Sequence, residues 1–236
     1  MSGHGSGGGA VVSDPDLLAG VYEKLLAPNF PDDELITLDE FLDGVASGSS
    51  TVHVVGDPSD PTALAVFERF EGSPAVLLSY FATRADQRGR GVGSALLRGL
   101  LDDIDRAPDV SVVLAEVEHP LHHAAHDVHG LPDARLAFYG RMGAMILDVP
   151  YFQAPLRDGG RPVFAMLLLV LDPAERWVRD GALVPAAGVG SVLASLYQGV
   201  DPELVGSVLK DTSGPIHLFR VDQLARVPVH LWGRSR

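Results

Sequence analysis

Apolar positions recur every three to four residues at the start of the chain, at Leu17, Leu18, Val21, Leu25 and Leu26. That spacing puts them on one face of a helix. After the proline-containing stretch APNFPDDEL, a second helix is predicted over 38–46, closed by Gly44 or Gly48. The pattern then changes to short apolar runs, TVHVV (51–55), TALAVFERF (62–70) and AVLLSYFA (75–82), separated by the turn-forming GDPSDP and EGSP. These read as strands. A helix over 94–105 carries Leu96, Leu97, Leu100, Leu101 and Ile104 on one stripe. VSVVLAEV (110–117) is almost continuously apolar, as expected of a strand covered on both faces. A helix near 133–142, ended by Gly143, and strands over 144–149 and 162–171 complete this region. Helices, antiparallel-looking strands and one strand–helix–strand crossover in that order predict a mixed α/β sheet.

From residue 173 onward small residues and loop formers dominate, followed by scattered apolar residues and a basic tip. The predicted organisation is a flexible tail over 1–12, a main domain over 13–172, and a helical extension over 173–236. The extension packs on the core or across a dimer. GVGSVLASL (188–196) echoes GVGSALLRGL (91–100), but it lacks the arginines and a convincing preceding strand, and is taken as coincidence.

Composition narrows the chemistry. The 236 residues include no cysteine, which removes disulfides, thiolate catalysis and cysteine metal sites and fits a cytoplasmic protein. No apolar run reaches the ~20 residues that span a bilayer, and the glycine-rich opening is not a signal peptide. A net charge of −13 argues against a nucleic-acid partner. It suits attraction of a cationic amine, and equally serves solubility alone.

The stretch with the most chemistry is DQRGRGVGSALL (86–97), three glycines and two arginines placed between a strand and a helix. Glycine permits positive φ and close approach to the backbone. Amide N–H groups converging at the positive end of a helix make an anion site, suited to a phosphate or pyrophosphate. A P-loop is excluded because no lysine follows the glycines, and a dinucleotide fingerprint is excluded by Ser94.

The pattern R-x-x-G-x-G, as Arg88, Gly91 and Gly93, closely resembles the pyrophosphate loop of the GNAT superfamily of acyl-CoA N-acyltransferases. SYFAT (79–83) resembles that family's bulged fourth strand, LAEV (114–117) its fifth, and ARLAFYGRMGA (134–144) its last helix and turn. The resemblance covers roughly residues 15–171. It implies a twisted, mostly antiparallel sheet with parallel, splayed fourth and fifth strands flanked by helices. Acetyl-CoA is then the co-substrate, and no metal is required. Phe81, Ala82 and Thr83 would offer backbone groups beside the thioester. Arg88, Gly89, Arg90, Gly91, Val92, Gly93 and Ser94 would hold the pyrophosphate. Glu116 would be the base and Tyr139 the acid in direct attack of a primary amine on the acetyl carbonyl. For each there is also a purely structural role, a salt-bridged carboxylate for Glu116 and core packing for Tyr139.

One departure stands out. VEHPLHHAAHDVHGLPD (117–133) replaces a short connection and holds five of the nine histidines. His119/His123 and His122/His126 are spaced i, i+4, compatible with a metal site, a pH-sensitive substrate wall or a plain surface loop. The acceptor therefore stays open between a small-molecule amine and a peptide or protein amine, N-terminal or lysyl. A CoA-binding sensor without turnover is the alternative from another class. No membrane partner is expected, and a homodimer is possible.

Overall fold

The computed structural model describes residues 9–31, 34–124, 131–157 and 160–227. Two compact units emerge. One comprises residues 1–69 and 78–108, the other 70–77 and 109–236.

In the first unit the opening apolar stripe forms α1 (Pro15–Val21) and runs on as a π-helical turn over Tyr22–Leu26. Asp14 caps α1, accepting from the amides of Asp16 and Leu17. Helix α2 (Leu38–Ser47) starts with a capping box between Thr37 and Glu40 and stops at Gly48, whose φ of 78° only glycine adopts readily. A strand that the hydropathy pattern does not predict, β1 (Ala10–Val12), lies antiparallel to β2 (Ser50–Asp57). Strand β2 forms a hairpin with β3 (Asp60–Arg69), turning where Asp57 Oδ1 accepts from Ser59. The four-strand run ends in β4 (Val76–Thr83), whose last six residues belong to this unit. Leu18, Val21, Leu25, Phe41, Val52, Leu64 and Tyr80 make one continuous apolar core between the helices and this sheet face. Helix α3 (Val92–Asp105) buries Leu96, Leu97 and Leu100 and packs against β3.

In the second unit the central pair is β5 (Val113–Glu118) antiparallel to β7 (Met166–Leu171), with Glu116 opposite Leu168. Every residue of β7 is buried, which is why the run MLLLVL has no polar alternation. The apolar segment over 162–171 does not form one strand. Val163 makes a single bridge with Gln153, and Ala165, at a φ of 56°, breaks the chain before β7. Helix α4 (Pro132–Arg141) precedes β6 (Met145–Leu147), which pairs with β7. The beginning of β4 belongs to this unit as well. Val76 N–H donates to Val112 O at 3.1 Å and Ser111 N–H to Pro74 O at 2.8 Å, so β4 and β5 set out side by side and parallel. The fold class is thus a mixed α/β sheet, parallel at β4–β5, antiparallel elsewhere, with flanking helices.

Residues 173–227 contribute more than helices. They form β8 (Val178–Arg179), β9 (Ala182–Leu183), α5 (Val189–Leu196), α6 (Pro202–Asp211) and β10 (Ile216–Arg220). Strand β10 pairs antiparallel with β6 and with β9. Two-residue strands carry no readable alternation, so hydropathy could not announce them. Leu183, Val192, Leu193 and Tyr197 share a core with Leu114, Leu147 and Leu168. Among the described residues no helix is long and apolar enough to cross a membrane.

Candidate active site

Alternation along β4 sorts the candidate residues by face. Tyr80 and Ala82 point into the apolar core of the first unit, so Ala82 has only its backbone to offer a ligand. Phe81 and Thr83 are half-buried on the opposite face. Beyond Thr83 the chain is pinned. Arg84 N–H donates to Thr62 O at 2.9 Å, and the Arg84 guanidinium bonds Asp60 at 2.9 Å and Asp86 at 2.8 Å. A single 3-10 turn over Ala85–Gln87 then leads into the glycines.

Gly89 and Gly91 hold φ of 75° and 82°. A Cβ built on either would meet nothing within 4 Å, so the backbone lies open to an approaching group. Gly93 differs. A Cβ there would lie 2.8 Å from Thr83 Oγ1 and 3.3 Å from the Phe81 ring, so this glycine is what lets α3 start against β4. The first helical bond runs from Ala95 N–H to Gly91 O, and no side chain caps the helix. The amides of Val92, Gly93 and Ser94 therefore lie outside the helical ladder at the positive end of α3. Arg90 is exposed beside them. Arg88 is engaged in bracing the loop, its Nε donating to Thr83 O at 3.3 Å and its Nη2 to Asn29 Oδ1.

The echo of this sequence at 188–196 has the same local geometry in different surroundings. Gly188 also precedes its helix at a φ of 89°. Here a Cβ would lie 2.6 Å from the Pro74 ring, and Ser73 donates to the Gly188 carbonyl. The space that is open at Gly91 is filled at Gly188.

In the second unit, Glu116 projects half-buried from the middle of β5. Its Oε1 accepts a hydrogen bond from the hydroxyl of Tyr151, which is 1% exposed. Tyr139 sits in the last turn of α4, buried, its ring edge-on to Phe138 at 5.3 Å between centroids. Burial pushes its phenol up to about 12, against a smaller opposing pull from the Arg135 charge. The hydroxyl is therefore protonated throughout the neutral range.

The histidine-bearing connection starts beside this strand. Glu118 lies 3.5 Å from both His123 Nδ1 and Arg135 Nη1, and His123 Nε2 is 2.9 Å from Phe164 O. His119 is buried, its ring against that of His122 at 4.8 Å, and burial, followed by the neighbouring His122, lowers its pKa. Among the described residues no group of three or more His, Asp or Glu side chains could hold a metal. His126 and His129 lie outside the described residues.

Sequence reasoning did not single out Tyr151 and Tyr197. Tyr151 lies in the PYFQAPLRDGGR loop, which has no regular pattern, and Tyr197 lies in the extension, where no motif marks it.

Residues 18–131 match the acetyltransferase (GNAT) family. Among solved structures, a Bacteroides thetaiotaomicron protein assigned to GNAT acetyltransferases is similar at 22% identity and a TM-score of 0.55, over 69% of this chain and 85% of that one. The loading GNATL domain of CurA from Lyngbya majuscula is similar at 14% identity and a TM-score of 0.51, over 69% of this chain and 96% of its own. These likenesses show the fold. No curated protein matches the chain in sequence.

Proposed function

Starting from the match of residues 18–131 to the acetyltransferase (GNAT) family, we propose that the protein transfers an acetyl group from acetyl-CoA to a primary amine. The observation that carries the co-substrate is the uncapped start of α3 behind Gly89 and Gly91, open glycines with free space beside them. In this reading residues 88–94 hold the pyrophosphate chiefly through the amides at the start of α3, those of Val92, Gly93 and Ser94, since the Arg88 and Arg90 N–H groups donate to Ala85 O and Gln87 O, and Arg90 adds charge. The backbone of Phe81, Ala82 and Thr83 orients the pantetheine arm and the thioester. The acyl-CoA would supply the activated carbonyl, and nothing in the reading calls for a metal.

An amine attacks only when neutral, so a base must take its proton. Glu116 has that role, directly or through water. The nitrogen adds to the carbonyl carbon and passes the proton it then carries in excess through water to solvent, the C–S bond breaks, and the sulfur leaves as thiolate. Tyr139 serves that departure. A phenol at about 12 is a weaker acid than a thiol near ~8.5, so it does not hand its proton over completely. It donates a hydrogen bond to the sulfur while negative charge builds there, and the thiolate is neutralised by solvent afterwards. The acceptor is a small-molecule or peptide amine.

Calorimetry with CoA and thiol release with a panel of amines test the reading. Gly91→Asp places a carboxylate where the pyrophosphate would lie, and CoA affinity is expected to fall by at least tenfold in a folded variant. Unchanged affinity overturns the loop assignment. CoA binding without thiol release from any amine would make the protein a binding module instead.

A further inference from the structure

Tyr151 is a hydrogen-bond partner of Glu116, and is itself held by an arrangement built from outside the family-matched residues. Tyr151 follows β6, its N–H bonded to Val149 O at 2.8 Å in a tight turn. Tyr197, which ends α5, lays its ring over Phe152 at 4.5 Å and 16° and over Tyr151 at 6.3 Å and 29°. Its hydroxyl donates to Phe152 O at 2.9 Å. Phe164 packs against Phe152 at 5.6 Å. Tyr151, Phe152 and Tyr197 are 1%, 0% and 3% exposed, so the rings pack against protein on all sides. All of these residues belong to the second unit.

A carboxylate on a strand can ordinarily rotate its two oxygens. With Oε1 held by a buried phenol, rotation stops, and the direction of Oε2 is set by the rings behind it. The bond also favours the ionised form, because an O–H donor stabilises a carboxylate more than a neutral acid. A base must be both ionised and aimed. Tyr151 supplies each condition, and Tyr197 keeps Tyr151 in place.

We propose that Tyr151 is a positioning residue for Glu116, and that the C-terminal extension completes the active site by locking Tyr151 through Tyr197. The proposal rests on Glu116 being the base. It gives residues 173–227 a catalytic purpose that their lack of motifs conceals. Burial, and further down the Glu116 charge, raise the pKa of Tyr197, in keeping with its nearness to that carboxylate.

The test uses the full chain. The Glu116 carboxyl carbon is titrated by NMR in wild type and in Tyr151→Phe, its resonance assigned by its loss in Glu116→Gln. The phenylalanine keeps the ring and its stacking. The titration midpoint is expected to move to higher pH in Tyr151→Phe, and in the same direction by less in Tyr197→Leu. Coincident titrations of wild type and Tyr151→Phe overturn the proposal, and coincidence for Tyr197→Leu, which removes the ring stacked on Tyr151, overturns the part given to the extension. The reciprocal reading, a shift of the Tyr151 ring-carbon resonance next to the hydroxyl in Glu116→Gln, tests the same bond with the aromatic cluster intact. No shift there also overturns it. None of these measurements needs turnover. The acid limb of the kcat/KM profile should follow the carboxyl titration in each variant, with acetyl-CoA affinity unchanged. If the NMR midpoint moves and the kinetic limb does not, the positioning stands and Glu116 is not the base.

Discussion

Tyr139 illustrates how burial selects among the things a phenol can do. Its buried hydroxyl group is costly to ionise, so in the proposed mechanism it would act as a hydrogen-bond donor that keeps its proton. Tyr139→Phe should therefore lower kcat with little change in acetyl-CoA affinity, because the bond matters only as the thiolate leaves. A loss of ~10²-fold is expected, the lower end for a positioned donor, since a thiolate is a tolerable leaving group. Wild-type kcat at saturating amine would make Tyr139 structural only. The same residue predicts a pH effect on stability. Its folded pKa is raised from 10.0 to about 12, so the stabilisation is complete below pH 10 and is lost as pH rises toward 12. Two units correspond to about 3 kcal/mol. Thermal melts of wild type should fall more steeply between pH 10 and 12 than those of Tyr139→Phe.

At the scale of elements, α3 and α5 begin with the same four residues, Gly-Val-Gly-Ser, and with the same left-handed glycine before the first turn. Local sequence produces local geometry in both places. Their surroundings then separate them, open space beside Gly91 and the Pro74 ring beside Gly188. Gly91→Ala and Gly188→Ala should accordingly do different things. Both place a Cβ at positive φ, a strain of ~1 kcal/mol. At Gly91 the added methyl enters the approach to the free amides, so CoA binding weakens while the melting temperature falls only slightly. At Gly188 the methyl collides with Pro74, and the loss is in stability, ~2 kcal/mol or more by the overpacking rule, with CoA affinity preserved. Chemical denaturation and calorimetry on the pair read both effects. Equal loss of CoA affinity in the two variants would refute the distinction.

For the whole molecule, the extension is a structural part of the second unit. Strand β10 covers the edge of β6, and Leu183, Val192 and Leu193 sit in the core with Leu147 and Leu168. We propose that the domain over 13–172 does not stand alone. A chain ending at residue 172 would bare the β6 edge and the apolar face that α5 now covers, a surface prone to pairing with other chains. It should aggregate or melt at lower temperature than the full protein. Size-exclusion chromatography and a thermal melt check this. A monomeric truncated chain with the full melting temperature would contradict it.

Much of this protein was legible one residue at a time. The apolar stripe of α1 and α2, the strands over 50–57, 60–69 and 76–83, and the helix behind the glycine loop follow from periodicity and turn chemistry. Those signals are local, and the structure realises them within a few residues. The glycine loop was legible too, because positive φ and an uncapped helix start are properties of the chain itself. Non-local pairing was not. Nothing in LAEV says that Glu116 meets Tyr151, and nothing in GVGSVLASLYQG says that Tyr197 stacks on Tyr151 and Phe152. The short strands β8, β9 and β10 exist because partners satisfy their backbone groups, not because their residues prefer an extended state. Sequence alone determined the longer helices and strands and the glycine loop ahead of α3. Tertiary structure decided which side chains face one another, because burial and hydrogen bonding across long separations depend on the whole packed chain.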